Sequence, residues 1–239
     1  MIAHDPSFVI LSMAIAILGA FTTCVMTSNI GALEPAEKRA RLAMASVALG
    51  GSLWAMQFVG LLGLAVPSNF ARYPALLALS AVIALMGAAV SLFLAGGGEP
   101  GRPRRLPVAT VVLGTVIAGM NYTAILSIAG RGFSLLWFLV AVGLAVSLQV
   151  AAIVLWFLFR RRGVLLTIAG SIVLGLCLSA THYLAIASTE NLKQAVLASP
   201  AHANAISAHY LAWSAAIMTY MICSICLCIF VVGLFHDEA

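Results

Sequence analysis

The chain has 239 residues, of which 63% are hydrophobic and only 8% are charged, and its formal net charge is +5 at pH 7. Soluble domains have about 25% charged residues, so this composition excludes most soluble globular folds and indicates an integral membrane protein. The length accommodates about seven spans of ~20 residues with short connections, which leaves little sequence for a separate soluble domain.

Seven long apolar segments follow one another along the chain, separated by clusters of charged residues, proline and glycine. They are apolar on every face, whereas the strands of a transmembrane β-barrel are ~10 residues long and alternate in polarity. The sequence therefore predicts an all-α membrane protein with seven transmembrane helices in a single domain, residues 1–239. The predicted spans are residues 8–27, 42–66, 74–95, 107–129, 133–159, 164–188 and 207–235.

Basic residues in short loops predict the orientation of the chain in the membrane. Nine of the twelve Lys and Arg residues lie in three alternate loops, which follow the first, third and fifth predicted helices. Because basic loops are retained on the cytoplasmic side, we predict that the N-terminus is outside and the C-terminus inside. The positive net charge then reflects topology and indicates no nucleic-acid partner. The nine residues are Lys38, Arg39, Arg41, Arg102, Arg104, Arg105, Arg160, Arg161 and Arg162.

A short motif recurs three times, on the second, fourth and sixth predicted helices. Its polar residue is Gln57 in the first copy, Asn121 in the second and His182 in the third, at spacings of 64 and 61 residues. An aromatic residue follows the polar one directly, and a small residue lies three positions after it. We interpret the chain as three related helix pairs plus a seventh helix. The copies read Ala55-Met56-Gln57-Phe58-Val59-Gly60-Leu61, Gly119-Met120-Asn121-Tyr122-Thr123-Ala124-Ile125 and Ala180-Thr181-His182-Tyr183-Leu184-Ala185-Ile186.

Each copy is preceded by a glycine seven residues upstream, namely Gly50, Gly114 and Gly175. Small residues permit the close approach of membrane helices, so we expect them to draw the three motif helices together. All three helices run from inside to outside in the predicted topology, which places the polar residues at one depth in the outer half of the membrane. A polar side chain that faced lipid would lack hydrogen-bond partners, so the three should point toward one another or toward water.

These motifs resemble those of the MHYT-domain family of bacterial membrane sensors. The residues that carry the resemblance are Trp54 to Gly60, Met120 to Thr123, and His182 with Tyr183, and the similarity covers most of the chain. The resemblance implies a multi-pass sensor of the bacterial inner membrane. In that family, three Met-His-Tyr-type motifs near the outer face have been proposed to bind a metal, copper above all, and to sense a diatomic gas.

The chain departs from the family pattern at two of the three histidines, which are replaced here by Gln57 and Asn121. Met56, Met120 and His182 remain, and they are candidate ligands because Cu(I) prefers thioether and imidazole donors. Amide side chains bind Cu(I) poorly. We therefore expect a degenerate outward-facing site at which copper binding is weakened, altered or lost.

The same residues also admit a structural interpretation. Methionine commonly serves as a packing residue on apolar helices, and this chain has nine of them. The imidazole of His182 serves equally well as a hydrogen-bond donor to the two amide side chains of the other motifs. Tyr122 and Tyr183 are predicted to contribute their hydroxyls to this polar network.

A further histidine lies near the outer start of the seventh predicted helix. The segment His209 to Ala212 repeats the four residues His182 to Ala185. His209 is therefore a fourth candidate metal ligand, or a cap over the site, and its alternative role is that of an interface residue facing water. His4 and His202, in predicted outside segments, are candidates for a surface at which metal enters.

The sequence gives no support for catalysis, because no predicted span contains a carboxylate and there is neither a glycine-rich phosphate loop nor a serine with an obvious base. We expect a sensory or accessory membrane subunit that signals through another membrane or cytoplasmic protein, since little sequence follows the seventh helix. The alternatives are a structural or assembly subunit of a membrane complex and a conduit for a small solute or metal. A conduit would show polar residues along its whole depth, and beyond the motifs the chief mid-span polar residue is Gln149.

Overall fold

A computed structural model describes residues 5–64, 73–97, 105–129, 134–160, 163–192, 194 and 208–236. Seven helices in these ranges are long and apolar enough to cross a membrane, which confirms the predicted all-α membrane fold. The side of the membrane on which each terminus lies stays a prediction. The helices are α1 (Pro6–Met26), α2 (Pro35–Leu62), α3 (Pro74–Gly96), α4 (Leu106–Ala129), α5 (Trp137–Leu158), α6 (Val164–Ala187) and α7 (Ala208–His236).

Helix α2 begins at Pro35, well before the predicted span, which starts at residue 42. Its first two turns are charged, and hydropathy marks only the apolar part of a helix. Arg41 in these turns forms an ion pair with Glu37 at 2.9 Å, and its guanidinium carbon lies 4.6 Å from the centroid of the Phe230 ring on α7. The basic residues that the sequence assigned to the first inside loop are therefore helical.

The first six helices form a closed ring. Each packs against the next along the chain, and α6 packs back against α1. Helices α2, α4 and α6, which carry the three motifs, alternate with α1, α3 and α5 around the ring and also contact one another across it. Helix α7 lies against the outside of the ring, where it packs on α1 and α2.

The glycines upstream of the motifs lie in the contacts between neighbouring ring helices. A β-carbon added at any of them would come within 2.8 Å of an α-carbon on the facing helix, so the paired backbones touch. The glycines therefore press the motif helices against α3, α5 and α1 rather than against one another, which corrects our expectation. The pairs are Gly50 with Leu85 (2.7 Å), Gly114 with Leu148 (2.8 Å) and Gly175 with Ile17 (2.7 Å).

Buried apolar side chains form two clusters. The larger cluster extends through the ring and reaches α7. The smaller one, which we call the apolar cap, lies where the motif helices end, and a two-stranded antiparallel sheet of β1 (Ser134–Leu135) and β2 (Thr189–Glu190) lies at the same end. The apolar cap consists of Leu61, Leu64, Ala124, Ile125, Ile128, Ala185, Ile186 and Leu192.

Candidate functional site: a buried polar triad below an apolar cap

Gln57 makes the first link between the motifs. Its side-chain Nε2 donates hydrogen bonds to the backbone carbonyl oxygens of Met120 (3.1 Å) and Asn121 (3.2 Å) on α4. Because both neighbours are acceptors, the amide nitrogen must face α4, and Oε1 is turned away from these two carbonyls. The polar residue of the first motif thus lies directly against the polar residue of the second.

His182 makes the second link, between the third motif and the first. Its side chain is fully buried, and a β-carbon added at Gly60 on α2 would lie only 2.5 Å from Nε2 of the imidazole. Gly60 is one helical turn beyond Gln57. The small residue of the first motif therefore provides the space that the polar residue of the third motif occupies.

Gln57, Asn121 and His182, which we call the polar triad, are exposed by only 1%, 1% and 0% of their surface. In the part of the chain that the structure describes, Gln57 Oε1 and Asn121 Oδ1 are buried and accept no hydrogen bond. A buried acceptor left without a donor costs about 1 to 3 kcal/mol. The polar triad therefore carries two acceptor atoms that need an explanation.

The apolar cap closes the triad on the side where the motif helices end. Leu61, Ile125 and Ile186 occupy the same position in the three motifs, four residues after the polar one, and all three belong to the cap. They are buried, with at most 3% of their surface exposed. The repeat thus places a polar layer and, one turn further along, an apolar layer across the centre of the ring.

The motif tyrosines bond to serines that sequence reasoning did not identify. The Tyr183 hydroxyl shares a hydrogen bond with Ser12 Oγ of α1 (3.2 Å), and the Tyr122 hydroxyl shares one with Ser188 Oγ just after α6 (2.9 Å). These bonds tie the motif helices to other parts of the ring. No spacing or composition distinguishes the two serines from the many others in the chain.

The two candidate methionine ligands are fully buried. Met56 and Met120 pack in the larger apolar cluster, whose members include Leu53 and Ile117. Met120 meets the polar triad through its backbone carbonyl. Both side chains belong to this apolar cluster, as a packing role requires, and their role as metal ligands stays a prediction.

His209 lies at the surface, apart from the buried triad. Its ring is exposed and lies 4.9 Å from that of Phe8, in a groove of about 350 Å³ between α1 and α7. Hydrogen bonds from Ser7 lower the pKa of the neighbouring Asp5 carboxyl, and the nearby His209 contributes in the same direction. His4 and His202 lie outside the described residues.

The donor atoms of the triad fit copper poorly. Cu(I) prefers sulfur and imidazole ligands, whereas the triad offers one imidazole and two carboxamides. Within the described ranges, no group of three or more His, Cys, Asp or Glu side chains is placed to hold a metal ion. The described cysteines are free thiols, three of them on α7.

One comparison with known proteins covers the first of the three motifs. The family model MHYT, described as a bacterial signalling protein N-terminal repeat, matches residues 50–107, which run from the middle of α2 to the start of α4. The chain is 29% identical over 197 residues to the bifunctional diguanylate cyclase/cyclic di-GMP phosphodiesterase MucR of Pseudomonas aeruginosa. The match covers 79% of this chain and 28% of that relative, so the chain spans little more than a quarter of its length. No solved structure gives a significant match.

Proposed function

We propose that this multi-pass membrane protein is a sensory module of the inner membrane, with the polar triad as the sensing site. The MHYT match over residues 50–107 and the seven apolar helices support the proposal. The observation that supports this most is the meeting of all three motifs in one buried place, through Gln57 on Asn121 and through His182 on Gly60. Intramembrane polar residues are costly and usually serve a function.

The output of the module is cyclic-dinucleotide signalling by a cytoplasmic partner. This part of the proposal rests on the relative, whose printed name gives it the synthesis and the hydrolysis of cyclic di-GMP. The proposal assigns sensing to the present chain and leaves catalysis to the partner.

Helix α2 offers the route from the site to the partner. It holds Gln57 toward one end and Arg41 at the other, and Arg41 lies over the Phe230 ring near the end of α7. A shift of α2 at the polar triad is therefore transmitted to α7 on the side that we predict to be cytoplasmic. Cys226 Sγ, 4.0 Å from the Met44 carbonyl oxygen, adds a second contact between the two helices.

The proposal does not include copper or a gas as the sensed ligand. His182 is the single side chain of the triad with the chemistry that copper favours. The conduit alternative is disfavoured because the polar triad is closed by the apolar cap. The chimera experiment described next distinguishes a purely structural subunit from a sensor.

A chimera tests the proposal. The segment of MucR that matches this chain is replaced by the chain, and cyclic di-GMP is measured in Pseudomonas aeruginosa cells that lack their own MucR. We expect that Gln57→Leu changes the cyclic di-GMP level at equal membrane expression. Gly51→Ala is the matched control on α2, because a β-carbon there meets no atom within 4 Å. A chimera that is active but insensitive to substitution of any triad residue would refute the sensing role.

A further inference from the structure

We propose that the polar triad binds a small neutral hydrogen-bond donor, of which a water molecule is the simplest, in place of the copper ion that the family resemblance implied. This inference rests on the proposed function, because the site is the same. It identifies the chemical class of the ligand.

The two unpaired oxygens determine what the site accepts. Gln57 Oε1 and Asn121 Oδ1 are buried and without a donor among the described residues. The orientation of the Gln57 amide is fixed by its two hydrogen bonds to α4, so the oxygen cannot be exchanged for the nitrogen without losing both bonds. A ligand that donates hydrogen bonds satisfies these oxygens, and one that reaches both at once would also link α2 to α4.

Charge excludes an ionic ligand. The seven helices contain no Asp, Glu, Lys or Arg beyond the first two turns of α2. A cation in the polar triad would thus have no anionic partner, and an isolated buried charge is very unfavourable in a medium of low dielectric constant. An anion would be repelled by the carboxamide oxygens, and no Lys or Arg lies on the helices beyond the first two turns of α2 to offset that repulsion. A neutral hydrogen-bond donor incurs neither the cost of a buried cation nor that of a buried anion.

Enclosure restricts the size of the ligand. All three side chains of the triad are at least 99% buried, and the apolar cap lies over them. On the side of α2 the imidazole of His182 already fills the space above Gly60. Water commonly occupies buried sites of this kind, where it bonds to polar groups that lack protein partners.

Crystals of the full chain, grown and then soaked with Cu(I), test the inference. We expect a light-atom peak within roughly 2.7–3.2 Å of both amide oxygens, and no anomalous signal from copper at that position. An anomalous copper peak in the triad would overturn the inference, and so would a map with no density between the two oxygens.

Gln57→Leu is the comparison variant, because leucine removes the acceptor and introduces no copper ligand. The light-atom peak should disappear in this variant, and a peak that persists would contradict the role of Oε1. If the variant does not fold, Asn121→Leu removes the other acceptor, and the map of the unmodified chain is decisive by itself. The MucR chimera is measured separately, so a copper-loaded triad with an intact cyclic di-GMP response would refute the ligand and retain the sensor.

Discussion

Substitutions at His182 distinguish a metal ligand from a member of a hydrogen-bonded network. Glutamine roughly preserves hydrogen bonding but binds soft metals poorly. With a neutral ligand in the triad, we expect His182→Gln to be nearly silent in unfolding experiments in detergent micelles. His182→Leu removes the imidazole as a hydrogen-bond partner of that neutral ligand. It should therefore destabilise by about 1 to 3 kcal/mol, or by nearer ~0.6 kcal/mol at the average for membrane proteins. Loss of bound metal in the glutamine variant, at unchanged stability, would instead assign His182 as a ligand.

Gly60 provides a second prediction for a single-residue substitution. An alanine there places a methyl group 2.5 Å from Nε2 of His182, so the imidazole must move out of a packed site. Overpacking of this kind costs about 1 to 3 kcal/mol. Gly60→Ala should therefore lower the unfolding free energy, whereas Gly51→Ala on the same helix should not. Equal stability of the two variants would contradict the contact between α2 and α6.

The residues of the polar triad could be predicted from sequence because the repeat places one polar side chain at the same position of three alternate helices. The contacts that hold them could not be predicted in this way. Ser12 and Ser188 carry no pattern, since a serine on a membrane helix usually bonds the backbone of its own helix. His209 shares its local sequence with His182, but it lies at the start of α7, which is outside the ring.

Among the contacts between helices, the close approach of α6 to α1 closes the ring. Gly175→Ala adds a β-carbon 2.7 Å from the Ile17 backbone, which cannot move without shifting α1. We expect a loss of about 1 to 3 kcal/mol in unfolding free energy, by analogy with other overpacked sites. Gly119→Ala on α4 is the control, because no atom lies within 4 Å of the added carbon. A destabilisation no larger than that of the control would contradict the packing of α6 on α1.

The number of helices followed from sequence, and their arrangement did not. Hydropathy identifies each apolar segment, but the closure of the ring depends on which backbones approach most closely. The glycine at position 175 indicated a close contact without indicating its partner, and the structure places α1 there. The start of α2 was predicted too late because its first turns, up to Arg41, are charged.

For the whole molecule, the predicted orientation remains to be measured. The described basic residues near Arg41, Arg105 and Arg160 all lie at the end of the ring opposite to the apolar cap, as the order of the helices requires. A compartment-sensitive reporter fused after Arg105 should therefore read cytoplasmic, and one fused near Asn191 should read external. The reverse pattern would place the polar triad in the inner half of the membrane.

The meeting of the three motifs is the central claim, and copper binding by a variant with restored histidines tests it most directly. Gln57→His/Asn121→His places three imidazoles at the positions of the triad, and imidazole suits copper where carboxamide does not. Copper titration of the purified variant should show a site that the unmodified chain lacks, and adding His182→Gln should remove it. Equal copper content in the unmodified chain and the double variant, or binding that does not depend on His182, would contradict a single shared site.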